Sequence, residues 1–298
     1  MAVVERSFAL GKSRFGLGKP VLIGSLFYKS DRKVRDHAKG EVDRKKLSRE
    51  LKQVAALKER VSLDHAIDVI AETPYAMERY LEILADATGD PLFIGGMNEE
   101  TRVAGCKKAK ELGIAQRCGI NSVSCATTQF ELDGIAEAGI ETAIVQTLDP
   151  SAVLPVEKLE MLKGGLLEKC SGAGLKKLAV DVGIVDFTSA WLAAEAIKII
   201  SARLGLPAGC APSNAAYQPL AFHRISKKAA RSINAAMNTM MQLAGAGFII
   251  YGPLKASTYV FEAAAVVCGI MDYGARASGS RATDKESPLF KYLPKLNQ

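Results

Sequence analysis

A unit that repeats from residue 60 onward constrains this chain most: an amphipathic helix ends near a glycine, and a short apolar strand follows within a few residues. The helix PYAMERYLEILADAT stops at Gly89 before PLFIGG, ETRVAGCKKAKEL at Gly113 before RCGINSV, and QFELDGIAEA at Gly139 before TAIVQTLD. KLAVDVGIVD then follows Gly174, LPAGCAPSN follows Gly205, and FIIYGPL follows Gly245 and Gly247. Glycine just past a helix takes the left-handed conformation without a Cβ clash, so it stops the helix cleanly. Within the helices Met77, Leu81 and Leu84 form one stripe and Glu78 and Glu82 another, the helical period. The strands are near-continuous apolar runs, as a parallel strand covered on both faces requires.

Adding VLIGSLFY from Val21 and HAIDVIA from His65 brings the count to eight strands, spaced by about 25–45 residues, the length of a βα unit. Eight units without a long uncovered segment predict a single closed (β/α)8 TIM barrel over residues 1–298. An open doubly wound sheet is disfavoured because IGSLFYKS is not a G-x-G-x-x-G turn. FALGKSRFGLG, within residues 1–20, reads as a hairpin that plugs the barrel bottom. Its Gly-Lys-Ser is not a phosphate loop, since Arg6 stands where the upstream glycine belongs. Residues 273–298 read as a polar tail ending in the docking segment SPLFKYLPKL.

With 48% hydrophobic and 24% charged residues the chain is an ordinary globular one. No apolar run approaches about 18 residues, so no membrane span is expected. The start MAVVERSFALGKSRF meets Glu5 and Arg6 too early for a signal peptide, which points to the cytoplasm. Six cysteines form no C-x-x-C pair and three histidines form no metal-ligand spacing, so no metal site is expected and His65 is read as packing. A net charge of +7 without a nucleic-acid-binding signature suits an acidic small molecule or an acidic protein partner.

Barrel chemistry gathers where strands end. Those ends carry Glu72 on the second strand, Asn121 and Ser122 on the fourth, Gln146 and Asp149 on the fifth, Asp181 on the sixth, and Ser213 and Asn214 on the seventh. The set is rich in amides and has no histidine or lysine, which argues against a Schiff base or a Ser-His nucleophile. Amides and one or two carboxylates in an apolar cavity instead suit a flat heterocycle with many donors and acceptors. Asn121 and Asn214 have a plainer use as helix caps or turn braces, and Asp149 before Pro150 as a turn former. Asp181 is harder to assign that way, since a carboxylate inside the run KLAVDVGIV is costly without partners.

INS (Ile120 to Ser122), AVDVGI (Ala179 to Ile184) and CAPSNA (Cys210 to Ala215), in this order on three strands, resemble the pterin-binding methyltransferases. The likeness extends to the H subunit of archaeal tetrahydromethanopterin S-methyltransferase and to the bacterial methylcorrinoid:tetrahydrofolate methyltransferases of glycine betaine demethylation. It runs from Pro20 to Asp272 and includes E-T-P at Glu72 and R-V-A-G-C-K-K-A from Arg102. What the resemblance implies is methyl transfer between a methylcorrinoid (methylcobalamin or a corrinoid protein) and N5 of tetrahydrofolate or a related tetrahydropterin. It places Asn121 on the pterin ring, Asp181 on the pyrimidine edge and Asn214 near N5, making Asp181 and Asn214 the catalytic pair. Glu72, Ser122, Gln146 and Ser213 join them as pterin-binding residues. A homodimer, a corrinoid-protein partner and no directly bound metal are implied as well.

This chain departs from the family at the end of the third strand, where FIGGM carries Gly95 in place of the usual aspartate of an I-D-S pattern. Asp181 is then expected to hold more of the ring, or Glu72 or Gln146 to compensate. A dihydropteroate-synthase-like enzyme would show a lysine on the seventh strand and an arginine–histidine pair on the eighth, and CAPSNA and YGPL show neither. A non-catalytic subunit that only docks a corrinoid protein is the other alternative. The basic run KSDRKVRDHAKGEVDRKK after the first strand reads either as a solvated loop or as a contact. In the second reading Arg32, Lys33 and Arg35 seat an acidic corrinoid protein or bind the glutamate tail of the folate.

Overall fold

The computed structural model describes residues 6–16, 18–222, 224–279 and 284–296. Eight parallel strands close into a barrel in sequence order: β1 (Val21–Leu26), β2 (His65–Ala71), β3 (Leu92–Gly96), β4 (Cys118–Val123), β5 (Thr142–Gln146), β6 (Lys177–Asp181), β7 (Ala208–Cys210) and β8 (Phe248–Pro253), which pairs with β1. Outside them run α1 (Arg44–Val61), α2 (Pro74–Ala87), α3 (Glu99–Glu111), α4 (Gln129–Ala138), α5 (Pro155–Met161), α6 (Leu167–Gly172), α7 (Ser189–Leu204), α8 (Pro212–Ala221), α9 (Lys227–Leu243) and α10 (Ser257–Ala277). Gly139 and Gly205 end α4 and α7 with φ of 72° and 70°, the left-handed cap that the sequence pattern requires. Gly89 does not act this way, because α2 already ends at Thr88 in extended conformation.

A strand inside a closed barrel sends alternate side chains inward, and two layers follow from that period. Ile23, Ala66, Phe93, Ile144, Ala179 and Phe248 belong to one apolar cluster that fills the barrel floor. Phe8, Leu10 and Phe15 of the hairpin Phe8–Leu10 and Ser13–Phe15 join the same cluster. Phe15 stacks on Phe8 at 5.1 Å and meets the edge of Phe93 at 5.8 Å, while Ser13 Oγ donates to the His65 carbonyl at 2.6 Å. The hairpin therefore plugs the N-terminal end. His65 braces that end from outside the plug, with Nδ1 2.8 Å from Asp90 Oδ2 and Nε2 3.1 Å from the Tyr251 hydroxyl. Burial lowers its pKa against the opposing pull of Asp90.

Three segments differ from the sequence expectation. The basic connection after β1 is folded, not loose: Val34–Asp36 pairs antiparallel with Glu41–Val42. Two helices, α8 and α9, fill the space between β7 and β8. The polar tail begins later than residue 273, since α10 continues to Ala277 and the short helices α11 (Pro288–Lys291) and α12 (Leu293–Leu296) follow, α11 packing back on α10. The stretch Leu254–Ala277 contains an 18-residue window of mean hydropathy 1.4, long and apolar enough to cross a bilayer, yet half of that window is buried here as a wall of the barrel.

Candidate active site

One inward step above the apolar floor, the same alternation brings Ser25, Asp68, Gly95, Asn121, Gln146 and Asp181 to the mouth. Asp68 lies opposite Ser25 in the β1–β2 register, and Asp181 lies opposite Gln146 in the β5–β6 register. Asp68 Oδ1 accepts from Asn121 Nδ2 at 3.0 Å and its Oδ2 accepts from Ser25 Oγ at 3.2 Å. A carboxylate only accepts, so it turns the Asn121 NH2 toward itself and leaves the amide oxygen free as an acceptor. Asp181 Oδ1 accepts from the Gly183 amide at 2.8 Å. Burial pushes both carboxyls up, Asp68 to about 6 and Asp181 to about 6; hydrogen bonds from Asn121 and Ser25 oppose the shift at Asp68, and the Gly183 amide and the charge of Lys158 oppose it at Asp181. The charge on Asp68 adds last and least to the rise at Asp181.

The other sequence-predicted residues divide. Gln146 and Ser122 are half-buried at the mouth beside Asp181 and Asn121. Ser213 is buried, and its hydroxyl donates to the Ile250 carbonyl at 3.2 Å. Asn214 is exposed in the first turn of α8, directly after β7. Glu72 is exposed beyond the end of β2. The carboxylate beside Gly95 is not Glu72 but Asp68: a Cβ at Gly95 would stand 2.8 Å from Asp68 Oδ1. Asp68 was legible, because HAIDVIA embeds a carboxylate in an apolar run just as KLAVDVGIV does. Asp149 is a turn former, its Oδ1 accepting from the Ser151 amide at 2.8 Å and hydroxyl at 2.6 Å.

The proposed contact through Lys33 is corrected by the structure. Lys33 is 5% exposed, and its Nζ pairs with Asp31 at 2.9 Å and Glu50 at 2.8 Å. Burial of an ammonium demands such pairing, and a lysine so held is not open to a partner or a substrate tail. Arg32 and Arg35 remain exposed on either side of it.

The family model of the tetrahydromethanopterin S-methyltransferase MtrH subunit matches residues 13–282. The chain belongs to that family. Relatives of the MtrH type include the H subunit of tetrahydromethanopterin S-methyltransferase from Methanothermobacter marburgensis, 27% identical over 92% of this chain and 91% of its own length. The protein of the same name from Methanosarcina barkeri is 26% identical over 95% and 96%. Among solved structures, the dihydropteroate synthase of Yersinia pestis superposes with a TM-score of 0.64 at 14% identity, over 91% of this chain and 99% of that one. That of Vibrio fischeri gives 0.62 at 15%, over 89% and 98%. At such identity the likeness is one of fold: the MtrH-type chain is built on the same barrel. Its β7 ends at Cys210, and Ala211 and Pro212 lead into α8, without the lysine expected of a dihydropteroate synthase.

Proposed function

We propose that this protein is a methyltransferase that moves a methyl group between a methylcorrinoid carried by a partner protein and N5 of a tetrahydropterin, tetrahydromethanopterin or tetrahydrofolate. The observation that carries the reading is the polar layer Asp68, Asn121 and Asp181 on an apolar floor, in a family whose named members act on tetrahydromethanopterin. The pyrimidine edge of a pterin offers adjacent N–H donors and a carbonyl acceptor. Asp181 accepts from the donors, and Asn121, turned by Asp68, meets the edge with its free amide oxygen. Asp68 is thus a positioning residue, and it takes the place of the absent strand-three aspartate.

The corrinoid supplies or accepts the methyl group and belongs to the partner. This chain's part is to bind the ring, aim N5 out of the mouth and keep water from the pyrimidine edge. Asn214, exposed after β7, serves as the hydrogen-bonding group near N5, where an amide can follow the change in bonding without holding the proton tightly. Gln146 and Ser122 line the ring, and Ser213 ties α8 to β8 so that Asn214 keeps its place. We take the chain to work as a cytoplasmic homodimer, and sedimentation of the purified protein reads its mass.

Anaerobic calorimetry with tetrahydrofolate and tetrahydromethanopterin tests the reading. Asp181→Asn should cost about 2 kcal/mol or more in affinity, the loss of a charged hydrogen bond in a dry site. A chain that only docks a corrinoid protein would bind neither compound, and unchanged affinity in Asp181→Asn would remove this residue from the ring.

A further inference from the structure

The chain has two buried lysines of equal exposure, 5% each, in opposite circumstances. Lys33 is held by two carboxylates at 2.9 and 2.8 Å. Lys158, on α5, donates to the Thr147 carbonyl at 3.0 Å, and among the described residues no carboxylate oxygen lies within 4.0 Å of its Nζ. Asp181 is as buried, at 5% exposure, and as sparsely held. Its Oδ1 accepts from the Gly183 amide at 2.8 Å, and no described cation pairs with it within 4.0 Å. An ammonium and a carboxylate removed from water are each costly alone.

One residue lies between the two. Thr147, directly after β5, accepts from Lys158 with its carbonyl, and its amide and hydroxyl donate to the main-chain carbonyl of Asp181 at 2.9 and 3.1 Å. The charged and titratable groups acting on Asp181 are few: Asp68 from β2, the Cys210 thiol from β7, and Lys158 from α5, the one cation among them. Burial lowers the pKa of Lys158, and of the charges opposing this, Asp181 acts most strongly, ahead of Glu157 and Asp149.

Distance is useful here. Asp31, paired directly with Lys33, has both oxygens engaged, Oδ1 by the ammonium and the Lys33 amide and Oδ2 by the Phe27 amide. Charge compensation falls off slowly with separation, whereas a hydrogen bond needs contact. A cation anchored on a neighbouring carbonyl therefore offsets a carboxylate's charge without using its acceptor sites.

We propose that Lys158 is the counter-charge of Asp181, a positioning residue that keeps this carboxylate ionised while the Thr147 carbonyl holds the ammonium off its oxygens, which stay open to the donors of the ring. The identity of that ring rests on the tetrahydropterin reading; the pairing of the two charges does not.

Aspartate labelled at its carboxyl carbon reports each ionisation by NMR in the ligand-free protein, and the Asp181 signal is the one lost in Asp181→Asn. In Lys158→Met the proton affinity of Asp181 should rise about tenfold, the scale of losing one nearby opposite charge, and Lys158→Arg should stay within about twofold of wild type. Affinity for 6-methyltetrahydropterin follows the ionised fraction. Lys158→Met should therefore bind it about fivefold more weakly than wild type near pH 6 and within about twofold near pH 8, where Asp181 is ionised in both. The titration of Asp68 is common to all variants and drops out of the comparison.

An Asp181 midpoint that stays put in Lys158→Met, or moves as far in Lys158→Arg, overturns the assignment, as does a loss of affinity equal at both pH values. Thermal melts check folding. If Lys158→Met does not fold, the reciprocal measurement decides: in Asp181→Asn the Lys158 ammonium, followed through its labelled ε carbon, should release its proton at lower pH than in wild type, and an unchanged midpoint overturns the pairing. If the carboxyl midpoint shifts as expected but wild type does not bind 6-methyltetrahydropterin, the tetrahydropterin reading fails and the counter-charge stands.

Discussion

Asp68 and Asp181 are both buried at the mouth of the barrel, 4% and 5% exposed. Both have folded-state values near 6 against an ordinary 3.8. Between these values the folded chain holds protons that the unfolded chain has released, so unfolding free energy falls as pH rises from about 4 to 6, by about 3 kcal/mol per group. That stability is fully present below the unfolded value and lost above the folded one. Asp181→Asn should therefore flatten the pH dependence and raise the stability of the ligand-free protein at pH 7 by the same order, read by denaturant titration at pH 4.5 and 7. A variant no more stable than wild type at pH 7 would mean that Asp181 is not strained by its burial. Gly95 belongs to the same small space. A Cβ there meets Asp68 Oδ1 at 2.8 Å, 3.3 Å from the Val69 carbonyl. Gly95→Ala should displace Asp68, free Asn121 to turn and weaken ring binding by about tenfold, the scale of one misdirected hydrogen bond, with global stability changed far less. Calorimetry on the variant reads the first and a melt the second.

At the level of elements, the site and the plug lie at opposite ends of one apolar column and should be separable. Phe15 is fully buried between Phe8 and Phe93. Phe15→Ala should cost about 3–5 kcal/mol in a packed interior that cannot collapse around the gap. Tetrahydropterin affinity measured well below the unfolding transition should stay at the wild-type value; a matching loss would show that the floor transmits disorder to the mouth. The connection after β1 is the element whose pattern misled. Its alternating charges read as a solvated run, yet Asp31 accepts from the Phe27 amide at 3.1 Å and the Lys33 amide at 3.2 Å, and Asp43 caps α1 through the Lys46 amide at 3.1 Å. Charge counts say nothing of which carboxylate a lysine will find once the backbone folds.

For the whole molecule, the excess of positive charge is +7. Arg32 and Arg35, with Lys29, are exposed members of it in the connection after β1, where we propose that the two arginines steer an acidic carrier protein. Reversing both to glutamate should slow methyl transfer with a corrinoid protein by about tenfold at low salt, with the difference shrinking as salt screens it. Turnover with free methylcobalamin should be unaffected. Equal rates with the protein carrier at low ionic strength would leave the two arginines as solvated surface.

The repeating helix–glycine–strand unit determined the barrel by itself, because period and length admit few other closures, and FALGKSRFGLG determined the hairpin. Embedded carboxylates and strand-end amides marked Asp181 and Asn121 without any coordinates, for the plain reason that burying a charge is costly and is seldom done without purpose. What only the tertiary structure decided is who stands next to whom. Asp68 stands against Gly95 because β2 and β3 are neighbours in register, a relation that no linear spacing expresses. Lys33 is paired with carboxylates and Lys158, equally buried, is not, for the same reason: one helix brings Glu50 to the first, and no described element brings a carboxylate within pairing distance of the second.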